Sequence, residues 1–368
     1  MKRAPKMGPA DRMARDAQRG MVTLVLGAGV SMPRGVPGWR DLAADLLFST
    51  TGQRPCWLTS HQEDWDNLNE ARALLRGKLP DAFVERLALD AGEPHPLALP
   101  MVFERVESEL ARTRDGNADE DVDSSFAGLL RSAMYENLKR TRRQDTLRVL
   151  AHLLRSEQQQ KKPRIARVIT FNADDLLERE VHGGLDAEEP PVVWVLARAS
   201  HHPTPNGGAG GQPPIPVYHV HGFLPRDPEE RQWADAPDTL VFTDAQYWSS
   251  VANPLSFANR VMANALHDSH CVFIGLSMTD LNITRWLGVR YNEILTDRQM
   301  QRQVVTRPGM GLEALQRRSL RRHYWVRTKD AAHDIVAEHL ECRGVSSVVL
   351  PQWGTPFNRL MRDCFASS

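Results

Sequence analysis

Cysteine is scarce in this sequence and never paired. Cys56, Cys271, Cys342 and Cys364 stand far apart, with no C-x-x-C among them, which excludes a structural zinc site built from cysteine pairs. Four cysteines allow disulfides on count alone. The basic stretch Met1–Arg19 lacks the apolar segment of a secretory signal, however, so reduced thiols in the cytoplasm are the expected state. Long apolar runs are missing too: none approaches the roughly 18–20 residues that span a bilayer, and no membrane contact is expected. Neither sign of charge dominates, since 46 Lys and Arg offset 46 Asp and Glu. Bulk charge therefore points to no nucleic acid, acidic substrate or membrane surface. The G-K-[ST] signature of a phosphate-binding P-loop is also absent.

What is present is a core-forming chain. Hydrophobic residues make up 41% of its 368 residues, enough for a buried interior and long enough for more than one typical domain. Met21–Leu26 is a short β-branched apolar run that ends at glycine, the pattern of a strand buried on both faces of a parallel sheet. Trp39, Leu42, Ala43, Leu46 and Leu47 follow at helical spacing. Further strands are predicted at Ile165–Phe171, Val192–Leu196, Val217–Val220, Leu240–Phe242, Cys271–Ile274, Tyr324–Val326 and Val345–Leu350, with a helix at about Pro254–His267. Strands alternating with helices predict an α/β fold: a Rossmann-like, doubly wound, mostly parallel sheet.

The same reading divides the chain. Residues 1–20 form an N-terminal arm, 21–52 and 161–355 the Rossmann-like core, 53–160 a helical insertion, and 356–368 a C-terminal tail. The insertion carries an acidic stretch (Asp115, Asp119, Glu120, Asp121, Asp123) that reads as a solvated loop. Residues 203–216, PTPNGGAGGQPPIP, are too rich in glycine and proline for a helix or a central strand. Arginines between Arg298 and Arg322 are clustered; they form either a solvated helix and loop or a phosphate-binding face.

Ligands of doubly wound sheets bind beyond the carboxyl ends of the strands, and four such ends carry motifs. Gly27-Ala28-Gly29-Val30-Ser31 reads as a tight turn that brings backbone close to a phosphate at the following helix, or as a plain βα turn. Gly35-Val36-Pro37-Gly38-Trp39-Arg40 adds a rigid turn, an aromatic face and a fixed cation. In Thr170-Phe171-Asn172-Ala173-Asp174-Asp175, Asn172 is placed to hold a water or a ribose hydroxyl, whereas Asp174 or Asp175 also suits a helix N-cap. His219-Val220-His221-Gly222 puts two histidines on one strand face by alternation; they read as a proton carrier near neutral pH, a core histidine, or less readily a metal pair. Gly275 to Asp280 is a ligand turn, with Ser277 offering a hydroxyl, or a strand-to-helix turn capped by Thr279 or Asp280.

Taken in order, GAGVS…GVPGWR, TFNADDLLE, HVHG and GLSMTD resemble the sirtuin family, and more closely its bacterial sirtuin-like NADase branch associated with anti-phage defence. The resemblance covers roughly residues 20–350 in scattered blocks. It implies NAD as substrate, with Gly27, Ala28, Gly29 and Ser31 around the pyrophosphate and Trp39 and Arg40 near the nicotinamide ribose and phosphates. It further implies Asn172 and His221 as catalytic residues, Asp174 facing the nicotinamide carboxamide, and Gly275 and Ser277 toward the adenosine. Protein-deacylating sirtuins have T-Q-N at Thr170-Phe171-Asn172, an aspartate at Gly38, and a four-cysteine zinc module after the catalytic histidine. Lacking that module, the chain is expected to hydrolyse NAD without zinc. A protein deacylase and a non-catalytic NAD or ADP-ribose sensor are the other readings. Control of such an activity is expected from homo-oligomerisation or from a partner, a HerA-type ATPase or an Argonaute-type protein by resemblance.

Overall fold

Val22–Leu26 (β1) is buried at every position because it pairs on both sides, in parallel, with Ile165–Thr170 (β2) and His270–Ile274 (β5). This is the environment that a continuous apolar run requires. The computed structural model describes residues 7–51, 98–114, 126–139, 145–183, 191–197, 213–227, 240–278, 280–304 and 322–365. These fall into two compact units: Met1–Val30, Thr141–Val220 and Pro254–Ser368 in the first, Ser31–Arg140 and His221–Asn253 in the second.

The first unit holds a seven-stranded sheet completed by Val193–Leu196 (β3), Ile215–His219 (β4), His323–Thr328 (β6) and Val345–Leu350 (β7), in the order β3-β4-β2-β1-β5-β6-β7. Every pairing is parallel, so the expected Rossmann-like α/β fold is observed. Strand alternation sorts the two faces. Val25, Ile169, Cys271, Phe273 and Trp325 pack with Phe257–Asp268 (α8), Leu281–Val304 (α9) and Ala331–Glu341 (α10) in one apolar cluster. Each large side chain fully buried there contributes roughly 1.5–3 kcal/mol over leaving it in water. On β6, Tyr324 donates its hydroxyl to Asp16 of Pro9–Gln18 (α1) over 2.6 Å. Thr146–Gln158 (α5) and Leu176–His182 (α6) pack on each other. Arg164, just before β2, pairs with the buried Glu157 of α5.

The second unit is helical among the described residues: Trp39–Thr51 (α2) packs on Ala98–Arg114 (α3) and Phe126–Tyr135 (α4), and α3 packs on Asp244–Ala252 (α7). Tyr135 donates its hydroxyl to the Leu224 carbonyl (2.7 Å), and Arg131 donates to that of Pro225 (3.0 Å).

Several expectations are corrected. Helix α5, assigned by periodicity to the insertion, belongs to the first unit. The N-terminal arm carries the helix α1, and the C-terminal tail carries most of the amphipathic helix Thr355–Phe365 (α11), which buries Phe357, Met361 and Cys364 and packs on α1. Leu240–Phe242 is not a strand; its apolar run serves a loop, where Gln246 accepts hydrogen bonds from the amides of Phe242 and Thr243. Pro216 lies in β4, where pairing with β2 starts only at Val217. Residues 203–212, the acidic stretch 115–125 and most of the arginine-rich segment lie outside the described residues.

Candidate active site

Asn172 sits two residues beyond β2, and its main chain is held on both sides. Its amide donates to Thr170 Oγ1 over 3.0 Å, and its carbonyl lies 2.9 Å from His219 Nδ1 at the end of β4. Its side-chain amide donates to the Gly27 carbonyl over 3.2 Å, which links it to the turn after β1. The strand order brings these three ends together, since β2 lies between β4 and β1. Asn172 is buried, as are Thr170 and His219.

The glycines of that turn answer to their neighbours. Gly27 donates to the Ile274 carbonyl (3.0 Å) and Gly29 to that of Gly275 (2.9 Å). A β-carbon on Gly29 would meet the Gly275 backbone at 2.9 Å, and one on Gly275 would meet the Val30 amide nitrogen at 2.7 Å. Both glycines are therefore required for two turns to cross. The Gly27 and Gly29 amides close that crossing. One correction concerns the helix. Two 3₁₀ turns, Ala28–Val30 and Met32–Arg34, follow β1, and α2 starts only at Trp39. The turn after β5 is strained: Gly275 has φ 69° and Met278, 1% exposed, φ 61°. A left-handed non-glycine residue costs roughly 1–2 kcal/mol, and such strain concentrates where ligands are held.

In the second unit His221 is 7% exposed. Its ring meets Trp39 edge to face at 5.9 Å. Trp39 also packs against Phe242 (4.8 Å) and Phe103 (5.9 Å). The His221 carbonyl accepts from the Val241 amide at 3.0 Å. Gly35 (φ 97°) is required here, because a β-carbon on it would lie 2.1 Å from the Asn137 carbonyl oxygen.

The remaining expected residues take varied places. Asp174 is buried, and its Oδ1 accepts from the Leu176 amide at the start of α6 over 3.1 Å. Asp175 pairs with Arg179 at 2.7 Å. Ser31 is buried and Ser277 exposed, and Asp280 caps α9 by accepting from the Asn282 amide at 2.7 Å. Arg40 lies in the first turn of α2; its side chain is outside the described residues. His219 and His221 do not share a strand face, since β4 ends at His219. His219 instead joins its Nε2 to Glu178 Oε1 at 2.9 Å. Among the described residues no group of three or more His, Cys, Asp or Glu could hold a metal. Burial pushes the Cys271 and Cys364 thiols up to about 12, which makes them poor ligands or nucleophiles.

Residues 166–333 match the family model of the SIR2-like domain. The matched span takes in Asn172, Asp174, His219, His221, Gly275 and Ser277, and it starts after the Gly27–Ser31 turn and Trp39. SIR2-like domains are commonly NAD-utilising enzymes, which points to NAD binding or use. No curated protein matches the chain. Among the described residues no helix is long and apolar enough to cross a membrane.

Sequence reasoning missed the side chains packed around His219 and Trp39. Glu178 lies in the quoted TFNADDLLE motif, six positions after Asn172, as an acid on a helix otherwise buried by Leu176, Leu177 and Val181. That misfit was its only signal. Phe103 and Phe242 carried none, because Phe103 reaches Trp39 through the packing of α2 against α3 and Phe242 from the loop before α7.

Proposed function

We propose that the chain is an NAD glycohydrolase: NAD and water give ADP-ribose, nicotinamide and a proton. The bond between C1′ of the ribose and the nicotinamide nitrogen breaks, the nitrogen keeps the electron pair, and a water oxygen bonds to C1′. The observation that carries this reading is Asn172, held by Thr170, His219 and Gly27 at the carboxyl end of β2 within a SIR2-like match. The residues fit the substrate. A polar amide in a buried setting can orient a water or ribose hydroxyl, and the charge that develops on the sugar calls for fixed dipoles. Asn172 would orient the reacting groups, and His221 would take the proton, worth roughly 10²–10⁴-fold in rate. Asp174 would hold the carboxamide, Trp39 and Arg40 the ribose and phosphates, and Gly275 and Ser277 the adenosine half.

Hydrolysis is favoured over deacylation by the cysteines. The sequence holds no C-x-x-C pair for a zinc module, and among the described residues Cys271 lies inside β5 and Cys364 inside α11. An NADase in the cytoplasm drains its host, a role suited to stopping phage infection at the host's expense. Its control would lie in self-assembly or in a HerA-type or Argonaute-type partner.

The test is nicotinamide release from NAD by the purified chain across protein concentrations, with Asn172→Ala and His221→Ala beside it. Release by wild type and its loss in both folded variants is expected, and a rise steeper than linear with concentration marks assembly as the switch. Full activity in both variants would remove the assignment. Binding of NAD without release makes the chain a sensor, and release only with an acyl-lysine peptide makes it a deacylase.

A further inference from the structure

His219 and Glu178 are 1% and 0% exposed, and the hydrolysis proposed above uses neither. The His219 Nδ1 faces the Asn172 carbonyl at 2.9 Å. A carbonyl only accepts, so Nδ1 carries the hydrogen. On the other side Nε2 lies 2.9 Å from Glu178 Oε1, with a single proton between them. The ring thus connects the main chain of Asn172 to the first turns of α6. Stability does not account for such a pair, because buried ionisable partners exchanged for apolar ones of similar volume often leave a protein as stable or more so. A proton relay does not account for it either, because the Asn172 carbonyl cannot pass a proton on.

We infer that the Glu178–His219 pair is the positioning device of Asn172: the proton shared between Glu178 and Nε2 holds the imidazole in one plane, and the imidazole holds the Asn172 peptide. With its amide on Thr170 and its carbonyl on His219, the Asn172 backbone has one orientation. The side chain then reaches the Gly27 carbonyl in one direction. This deepens the hydrolase reading and rests on it, in that it takes Asn172 as the residue that acts on NAD. His219 and Glu178 are positioning residues acting through Asn172.

The test uses the full chain with His219→Phe, Glu178→Ala and Glu178→Gln. Phenylalanine keeps a planar ring without either hydrogen bond. Glutamine can donate to the imidazole lone pair and so keep the link without charge. For folded protein, confirmed by near-ultraviolet circular dichroism, kcat for nicotinamide release is expected to fall roughly 10- to 100-fold in His219→Phe and Glu178→Ala, the scale of a small misplacement of a reacting group. KM for NAD stays close to wild type. Glu178→Gln recovers most of what Glu178→Ala loses. A purely structural role lowers the melting temperature and leaves kcat per folded molecule unchanged; that result overturns the proposal, as does a glutamine variant as slow as the alanine one. A second readout does not need turnover: the side-chain amide resonances of Asn172 in ¹⁵N-labelled protein shift in His219→Phe. If wild type releases no nicotinamide, the hydrolase reading falls, and the resonance decides the positioning claim. Movement supports it and an unmoved resonance overturns it.

Discussion

The amide of Gly29 donates to the carbonyl of Gly275 over 2.9 Å, so the turn after β1 and the turn after β5 cross backbone to backbone. Nothing larger than hydrogen fits at either α-carbon. Gly29→Ala is expected to destabilise the chain by about 1–3 kcal/mol, the ordinary cost of overpacking. Gly275→Ala adds a left-handed backbone (φ 69°) and is expected to cost about 2–4 kcal/mol. Urea unfolding measures both, and the order Gly275→Ala worse than Gly29→Ala is the diagnostic result.

Trp39 joins His221, Phe103 and Phe242 in one aromatic group. Since Trp39 is only half-buried, Trp39→Ala is expected to cost about 2–3 kcal/mol, below the range for fully buried tryptophan. It also frees the His221 ring to rotate. Nicotinamide release is therefore expected to fall in Trp39→Ala and to return in part with Trp39→Phe, which keeps an aromatic edge for the imidazole. Equal activity in all three proteins would show that ring contact does not matter to His221.

Burial lowers the pKa of His182 from its ordinary 6.5; Glu178 opposes the shift and the Arg155 cation adds to it. The folded state therefore resists protonation that the unfolded chain accepts. The stability is fully present above the unfolded pKa of 6.5 and is lost as pH falls from there toward the folded value. In His182→Gln the urea midpoint is expected to decline less than in wild type between about pH 7 and about pH 5. Parallel declines would show that His182 does not carry the effect.

The thiols offer a check on burial. Cys342 is exposed, while Cys271 and Cys364 are buried with pKa values of about 12. In a Cys56→Ser background, one thiol per native chain is expected to react quickly with a disulfide reagent at about pH 8, and Cys342→Ser removes it. A second fast thiol contradicts the packing of β5 or α11.

Much of the fold was legible in the chain, and for a simple reason. A strand buried on both faces must be apolar at every position, so runs such as Met21–Leu26 and Cys271–Ile274 announced central strands within a residue of their ends. Leu240–Phe242 shows the limit: three consecutive apolar residues satisfy a strand pattern and a loop anchored by Gln246 equally well. Amphipathic helices at the termini escaped notice because Pro9–Gln18 and Thr355–Phe365 bury narrow stripes among many charges.

The motifs fared in the same way. Residue types and their order were enough to single out Asn172, His221 and the glycine turns as candidates, and to show that no C-x-x-C pair is present. Only the tertiary structure could decide what those residues touch. Strand order β4-β2-β1 is a long-range fact, and it is this order that places His219, Asn172 and Gly27 in one hydrogen-bonded line. The same packing assigned glycine its reason at Gly29 and Gly275, where the partner is another stretch of backbone far along the chain. It also turned His219 away from a metal-like pairing with His221 toward Glu178, because β4 ends between the two histidines and a period-two pattern holds only while a strand continues.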